Sequence, residues 1–183
     1  MNSLKDYKYL QKESKLAALD PSSTCTGVSL FIDGELKYTG ALKCPVKECS
    51  NLYDRINLMG GRIIDRLEEI GPGIVVVEKP FYKSSKVLSV ISELLGITRG
   101  YCISKGIEFH EYFPTDWRKG CLEIGESFPK REDGKAFRRE EWKRWAVSRI
   151  EQQYNITVND DMADSILLGK AFLNEKINFK EVI

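Results

Sequence analysis

The sequence predicts an α/β domain: a five-stranded mixed sheet, its first three strands antiparallel, flanked by helices. Three observations carry this prediction. Two short apolar runs, Leu16-Ala17-Ala18-Leu19 and Ile74-Val75-Val76-Val77, each stop at a single acid, Asp20 and Glu78. Near-continuous apolar runs of this length mark strands buried on both faces. Asp33-Gly34, set between two further apolar runs, is a strong hairpin signal that makes the early strands antiparallel neighbours. Apolar residues then recur at helical spacing over 52–70, 84–104 and the stretch after Asn159.

Residues 1–14 are polar and lysine-rich with no apolar core, so they do not read as a secretory signal. They read as a flexible extension of residues 1–15, ahead of one domain over 16–183. The first strand leaves the core at Asp20, and Pro21-Ser22-Ser23-Thr24-Cys25-Thr26-Gly27 turns the chain. Strands two and three follow at 27–32 and 36–42. Residues 43–50, with Pro45, are a loop. The helix over 52–70 presents Leu52, Ile56, Met59, Ile63, Ile64, Leu67 and Ile70 on one side and stops at Gly71-Pro72-Gly73. Strand four is 74–78.

The helix over 84–104 has an apolar surface wider than one sheet contact requires, which suits sharing with a second subunit. A homodimer is therefore expected. Residues 107–113 read as a fifth strand, parallel to the fourth across a right-handed crossover. His110, the only histidine, is expected in a surface or hydrogen-bonded role. Residues 114–120 begin a turn or short helix. The mixed-charge segment 121–137, with two glycines and Pro129, reads as a mobile loop. The helix over 138–154 carries Trp142, Trp145, Ala146 and Ile150 on one face and basic residues opposite.

A chain of 183 residues can bury roughly 70% of its unfolded surface as one domain. No run of about 18 apolar residues occurs, so no membrane partner is expected. The five cysteines are odd in number and show no C-x-x-C spacing, which argues against a zinc site or a disulfide framework and fits a reducing cytoplasm. The net charge of +1 conceals two basic segments. Lys79, Lys83, Lys86, Arg99 and Lys105 face only Glu93 between 79 and 105, and 117–149 holds ten basic residues against six acids. Local positive charge around acidic strand ends suits a polyanion that is held by cations and processed at an acidic centre.

The acids form a pattern. Ligands of open α/β sheets bind at the carboxyl edge, and Asp20 and Glu78 both stand where an apolar strand reaches an edge. A third cluster, Asn159-Asp160-Asp161-Met162-Ala163-Asp164, opens the last helix. Acids there suit the helix dipole. Asp161 and Asp164, three apart, share a face, as do Asp160 and Asp164, four apart. N-capping accounts for one aspartate and leaves the others unexplained.

These residues resemble the ribonuclease H-like nucleases, and most closely the RuvC-type Holliday-junction resolvases. Asp20-Pro21-Ser22-Ser23-Thr24-Cys25-Thr26-Gly27 is similar to the family's Asp-Pro-Gly-Ser-x-x-Thr-Gly. Glu78-Lys79-Pro80-Phe81 resembles its second motif, an acid followed three residues on by an aromatic. Asp161-Met162-Ala163-Asp164-Ser165 resembles its Asp-x-Ala-Asp-Ala helix start. The divergent pattern looks more like phage-encoded members, acting in the bacterial cytoplasm, than the cellular enzyme.

The resemblance implies a structure-selective endonuclease of four-way or other branched DNA, with Asp20, Glu78, Asp161 and Asp164 as catalytic metal ligands. Four carboxylates at one edge cannot all stay ionised unpaired. A pair of Mg²⁺ or Mn²⁺ ions resolves this, since hard oxygen ligands favour them over zinc. Asp20 is then the bridging ligand, with Glu78 on one ion and Asp164 on the other. Asp161 is a further ligand, and Asp160 its substitute if the helix register shifts by one. Phe81, with Tyr82 beside it, would press against bases at a junction, where base–aromatic stacking is worth about 1–3 kcal/mol. Lys83, Lys86, Arg118, Lys119, Arg138, Arg139 and Lys143 would hold phosphates. Basic residues assisting the family's chemistry would fall near Lys119 and Arg139. The rival readings are a ribonuclease H-like nuclease of RNA or RNA–DNA hybrids, an actin/sugar-kinase-like nucleotide binder, and a catalytically silent DNA-binding module.

Overall fold

The computed structural model describes residues 15–80, 85–123 and 125–180. Five strands, β1 (Lys15–Asp20), β2 (Cys25–Ile32), β3 (Glu35–Lys43), β4 (Ile74–Glu78) and β5 (Glu108–Tyr112), form one sheet. The helices are α1 (Leu52–Ile70), α2 (Ser85–Lys105), α3 (Pro114–Gly120), α4 (Arg139–Tyr154) and α5 (Asp160–Lys180). The strand order is β3-β2-β1-β4-β5, with β1 to β3 antiparallel and β4 and β5 parallel to β1. This is the mixed sheet expected, with β1 at its centre. β1 begins at Lys15, which pairs with Ile32.

Local chemistry explains the boundaries. Asp33 and Gly34 take positive φ angles of 52° and 83°, the left-handed backbone that a two-residue hairpin turn needs. Asn51 starts α1 by accepting the Asp54 N–H through its side chain. Gly71, at φ 60°, ends α1 by donating its N–H to the Leu67 carbonyl.

Strand alternation splits the core in two. Leu16, Ala18 and Val76 point to one face of the sheet, where α3, α4 and α5 pack. Ala17, Leu19, Val75 and Val77 point to the other, against α1 and α2. With a period of two, Asp20 continues the Leu16-Ala18 row and Glu78 the Ile74-Val76 row. Both acids therefore lie on the α5 side. Leu19 pairs in register with Val77, so Asp20 and Glu78 follow one step later on adjacent parallel strands.

Two features differ from the sequence expectation. Residues 121–137 do not read as a mobile loop: among the residues described, Leu122, Phe128 and Phe137 pack on the core, and Lys130 bridges Ala136. Arg149 of α4 grips Glu126 with both guanidinium nitrogens, which anchors the segment despite its polar composition. The second concerns α2. Residues 87–105 are long and apolar enough by length and composition to cross a membrane, with mean hydropathy 1.3, although no uninterrupted apolar run occurs. The residues between the apolar ones are mostly small and uncharged (glycine, serine and threonine), so they lower the average only a little. Val90, Leu94, Leu95, Thr98 and Cys102 of this helix are buried against the sheet, while Val87, Leu88 and Ile103 remain exposed. The only histidine, His110, bonds Glu108 and packs on the Phe172 ring, 5.0 Å away.

Candidate active site

The strand-end acids and the helix-tip acids meet. Asp20, Glu78, Asp160, Asp161 and Asp164 line one cleft of about 560 Å³, and Arg55, Arg118, Arg139 and Lys143 share its walls. β1 and β4 deliver Asp20 and Glu78 from below. α5 delivers the aspartates because its first turn crosses β2 at Gly27. A Cβ built on Gly27 would lie 1.9 Å from the Asp161 carbonyl oxygen, so only glycine permits this approach. The Asn159 side chain accepts the Met162 N–H at 2.9 Å and so caps α5. That leaves Asp160 and Asp161 of the first turn, and Asp164 just beyond it, to face the cleft. Deeper along the same contact, Ser29 and Ser165 share a buried hydrogen bond of 2.6 Å that locks α5 to β2.

Each acid has its own environment. The Asp160 carboxylate bonds the Lys143 ammonium, which holds its pKa below the ordinary value and raises that of the lysine. Asp161 is pushed upward, mainly by burial, while a hydrogen bond from Cys25 partly opposes the shift. The Cys25 thiol rises to about 12, through burial and the neighbouring Asp161. Asp164, 7% exposed, accepts the Trp142 indole N–H at 3.1 Å. Glu78 accepts the Trp117 indole N–H at 2.9 Å.

Burial and the nearby Glu78 charge push the Asp164 carboxyl up to about 7, against the pull of Arg118 and the Trp142 N–H. A folded state that keeps a proton the unfolded chain has released loses stability as pH rises. The window runs from the ordinary value of 3.8 to about 7. In chelator-treated protein, urea midpoints should fall across this window, and Asp164→Asn should flatten the fall. An equal slope in the variant would contradict the assignment.

The donor set suits a hard divalent cation, being carboxylate oxygen throughout, and the mutual penalty between Glu78 and Asp164 is the kind a cation relieves. Among the described residues, no three His, Cys, Asp or Glu side chains are gathered tightly enough to hold a metal ion by themselves. The acids are instead held along the cleft by separate donors: Lys143, Cys25, Trp117 and Trp142. Water and phosphate oxygens would have to complete any coordination shell, as is usual for Mg²⁺.

Of the basic residues expected at the site, Arg118, Arg139 and Lys143 line the cleft. Lys119 and Arg138 are exposed and are not among its lining residues. On the short α3, Trp117 turns inward and Arg118 lies along the cleft, which leaves Lys119 facing solvent. Phe81, Tyr82 and Lys83 lie outside the described residues. Lys86 belongs to α2, and its side chain lies outside the description as well.

No family model matches the sequence, and no curated protein matches it. Solved structures do match. Thermus thermophilus RuvC, in complex with a Holliday junction substrate, superposes with TM-score 0.64 at 14% identity, over 88% of this chain and 94% of that one. The yeast mitochondrial Holliday junction resolvase gives TM-score 0.61 at 14% identity, over 92% of this chain and 81% of its own. The fowlpox virus resolvase, in complex with substrate Holliday junction DNA, gives 0.56 at 15%, over 89% and 98%. The chain has the fold of the RuvC-type resolvases. The ribonuclease H-like sheet expected from the three acidic motifs is thus the one observed.

Three further residues belong to this site without a sequence signal: Arg55 and Trp142 line the cleft, and Trp117 meets it through Glu78. Trp117 and Trp142 reach the acids through their indole N–H groups. In the sequence Trp142 belongs to an apolar helix face, and an indole's donor leaves no trace in periodicity. Arg55, which donates to the Ser23 hydroxyl at 3.3 Å, sat on the polar side of an amphipathic helix with nothing to single it out.

Proposed function

We propose that the chain is a metal-dependent endonuclease that hydrolyses phosphodiester bonds in four-way and other branched DNA. The observation that carries this reading is one cleft lined by two strand-end acids and the helix-tip aspartates, with three of the expected cations along the same walls. Two Mg²⁺ or Mn²⁺ ions, when bound, would supply an activated water and charge stabilisation at the leaving oxygen. Asp20, at the end of the central strand, would be the ligand shared by the two ions, and Glu78 and Asp164 would each help to hold one. Asp161 is the further ligand, since the Asp160 carboxylate is engaged by Lys143. Arg118, Arg139 and Lys143 hold phosphates on the approach to the acids without reading sequence. The chain has one histidine, and this chemistry requires no protein general base.

Likeness to resolvases bound to Holliday junctions supports a four-way substrate. Two nicks in one junction need two active sites. Val87, Leu88 and Ile103, exposed on α2, suit the homodimer that would provide them. Phe81, from its motif, is assigned the wedge at the junction centre, with Tyr82, Lys83 and Lys86 as neighbouring contacts. Phe81→Ala should slow cleavage of intact junctions more than that of junctions already opened by mismatches; equal slowing would contradict the wedge role.

A substrate panel tests the proposal. Four-way, flap, RNA–DNA hybrid and duplex substrates are incubated with Mn²⁺, and the nicks are mapped. Preferred nicking of branched DNA is expected. Preference for the hybrid would instead favour the ribonuclease reading, and no cleavage of any substrate would overturn the nuclease reading altogether.

A further inference from the structure

We propose that Trp117 and Trp142 are positioning residues of this cleft, their indole N–H groups fixing Glu78 and Asp164 without cancelling the negative charge that binds a divalent cation. The inference rests on the metal-dependent reading above and extends it to residues that touch neither substrate nor metal.

The two contacts share one pattern on different elements. Trp117 of α3 donates to Glu78 of β4, and Trp142 of α4 donates to Asp164 of α5, at 2.9 and 3.1 Å. Both rings are buried, at 1% and 2% exposure, and an indole has one donor and no acceptor. Each tryptophan spends that donor on an acid of the cleft.

The donor type matters. A lysine bonded to a carboxylate neutralises it, as Lys143 does for Asp160, and competes with an incoming cation. A neutral N–H orients the carboxylate and leaves its charge in place. Outer partners of this kind orient metal ligands, and their loss costs about 10–100-fold in metal affinity or activity.

The indoles are themselves held. They meet edge to face at 5.8 Å, and Phe128 stacks nearly parallel on Trp142 at 5.7 Å. The Arg118 guanidinium lies over both rings, 4.8 Å from the Trp142 centroid and 5.3 Å from that of Trp117. The pair therefore fixes the acids and also carries a cleft cation on its π-faces. Trp145 provides a control: it packs on Trp142 at 4.8 Å and, among the described residues, bonds none of the cleft's acids.

The test is Mn²⁺ binding followed by electron paramagnetic resonance, alongside nicking of a four-way junction as a function of Mn²⁺. Trp117→Phe and Trp142→Phe should each weaken Mn²⁺ binding about 10–100-fold. Their half-saturation for nicking should move in parallel, and the maximal rate should largely recover at saturating metal. Trp145→Phe should stay within about twofold of wild type, since it removes ring packing and no bond to an acid. Unchanged affinity in folded Trp117→Phe and Trp142→Phe proteins, or an equal loss in Trp145→Phe, overturns the proposal.

If the phenylalanine variants do not fold, benzothienylalanine in place of the tryptophans keeps the ring and removes the N–H. Lost Mn²⁺ affinity then supports the proposal, and retained affinity overturns it. Wild-type protein that binds no Mn²⁺ overturns the nuclease reading and this inference together, whereas metal binding indifferent to the tryptophans overturns this inference alone.

Discussion

Asp20→Asn should abolish metal-dependent nicking of a four-way junction while leaving junction binding in place. The substitution preserves size and removes only the charge, at the end of the central strand where Leu19 pairs with Val77 of β4. The turn beyond it has hydrogen bonds of its own. Ser22 and Thr26 hold it through two hydrogen bonds between backbone and threonine hydroxyl, at 3.2 and 3.0 Å. The turn should therefore keep its shape in the variant. A ligand placed between two cations cannot be replaced by a neutral amide, so the rate should fall by more than about a hundredfold, beyond the usual loss for an outer partner. Binding, proposed to rest on Arg118, Arg139 and Lys143 along the cleft, should persist. Gel shift in Ca²⁺ and nicking in Mn²⁺ measure the two properties separately. Full nicking by the variant would remove Asp20 from the metal role.

Gly27→Ala should be the most disruptive of the glycine-to-alanine changes among the described residues. The added methyl would meet the Asp161 carbonyl oxygen at 1.9 Å, its carbonyl carbon at 2.4 Å and the Met162 nitrogen at 3.0 Å. All three are backbone atoms of the α5 tip and cannot rotate away. Overpacking of this kind costs about 1–3 kcal/mol, and a helix backbone places it at the upper end. For a chain of this size that is a fall in Tm of about 6–12 °C. The strain would be relieved by lifting the start of α5, which carries Asp161 and Asp164 out of the cleft. Lost nicking should therefore accompany the lower Tm. Calorimetry and the nicking assay check both; a variant as stable and as active as wild type would show that the tip of α5 does not sit on β2 as described.

Much of this arrangement was legible in the sequence because the signals were local. An apolar run closed by an acid, repeated at Asp20 and Glu78, fixed two strand ends. The parallel pairing of β4 with β1 then placed those ends at the same edge. The hairpin at Asp33-Gly34 and the stop at Gly71 followed from backbone preferences that need no partner. What was not legible depended on long-range contacts. Asn159, rather than an aspartate, caps α5, a choice made by geometry among three polar residues in a row. The segment 121–137 packs because Phe128 finds Trp142 and Glu126 finds Arg149, neither of which is a sequence neighbour. The acid-binding role of Trp117 and Trp142 arises only when α3 and α4 are laid beside β4 and α5. The resolvase resemblance stated on three short motifs found its match in the fold, while the residues after Pro80 that would meet a junction lie outside the description.

The central claim is that the acids of the cleft act through divalent cations. The most direct measurement is nicking of a labelled four-way junction by wild-type protein, first stripped with EDTA and then titrated with Mn²⁺ or Mg²⁺. The account predicts no nicking in the stripped protein and recovery with either ion, with Zn²⁺ and Ca²⁺ failing to substitute fully. Nicking that survives the chelator, or that no divalent ion restores to a protein still bound to the junction, would contradict it.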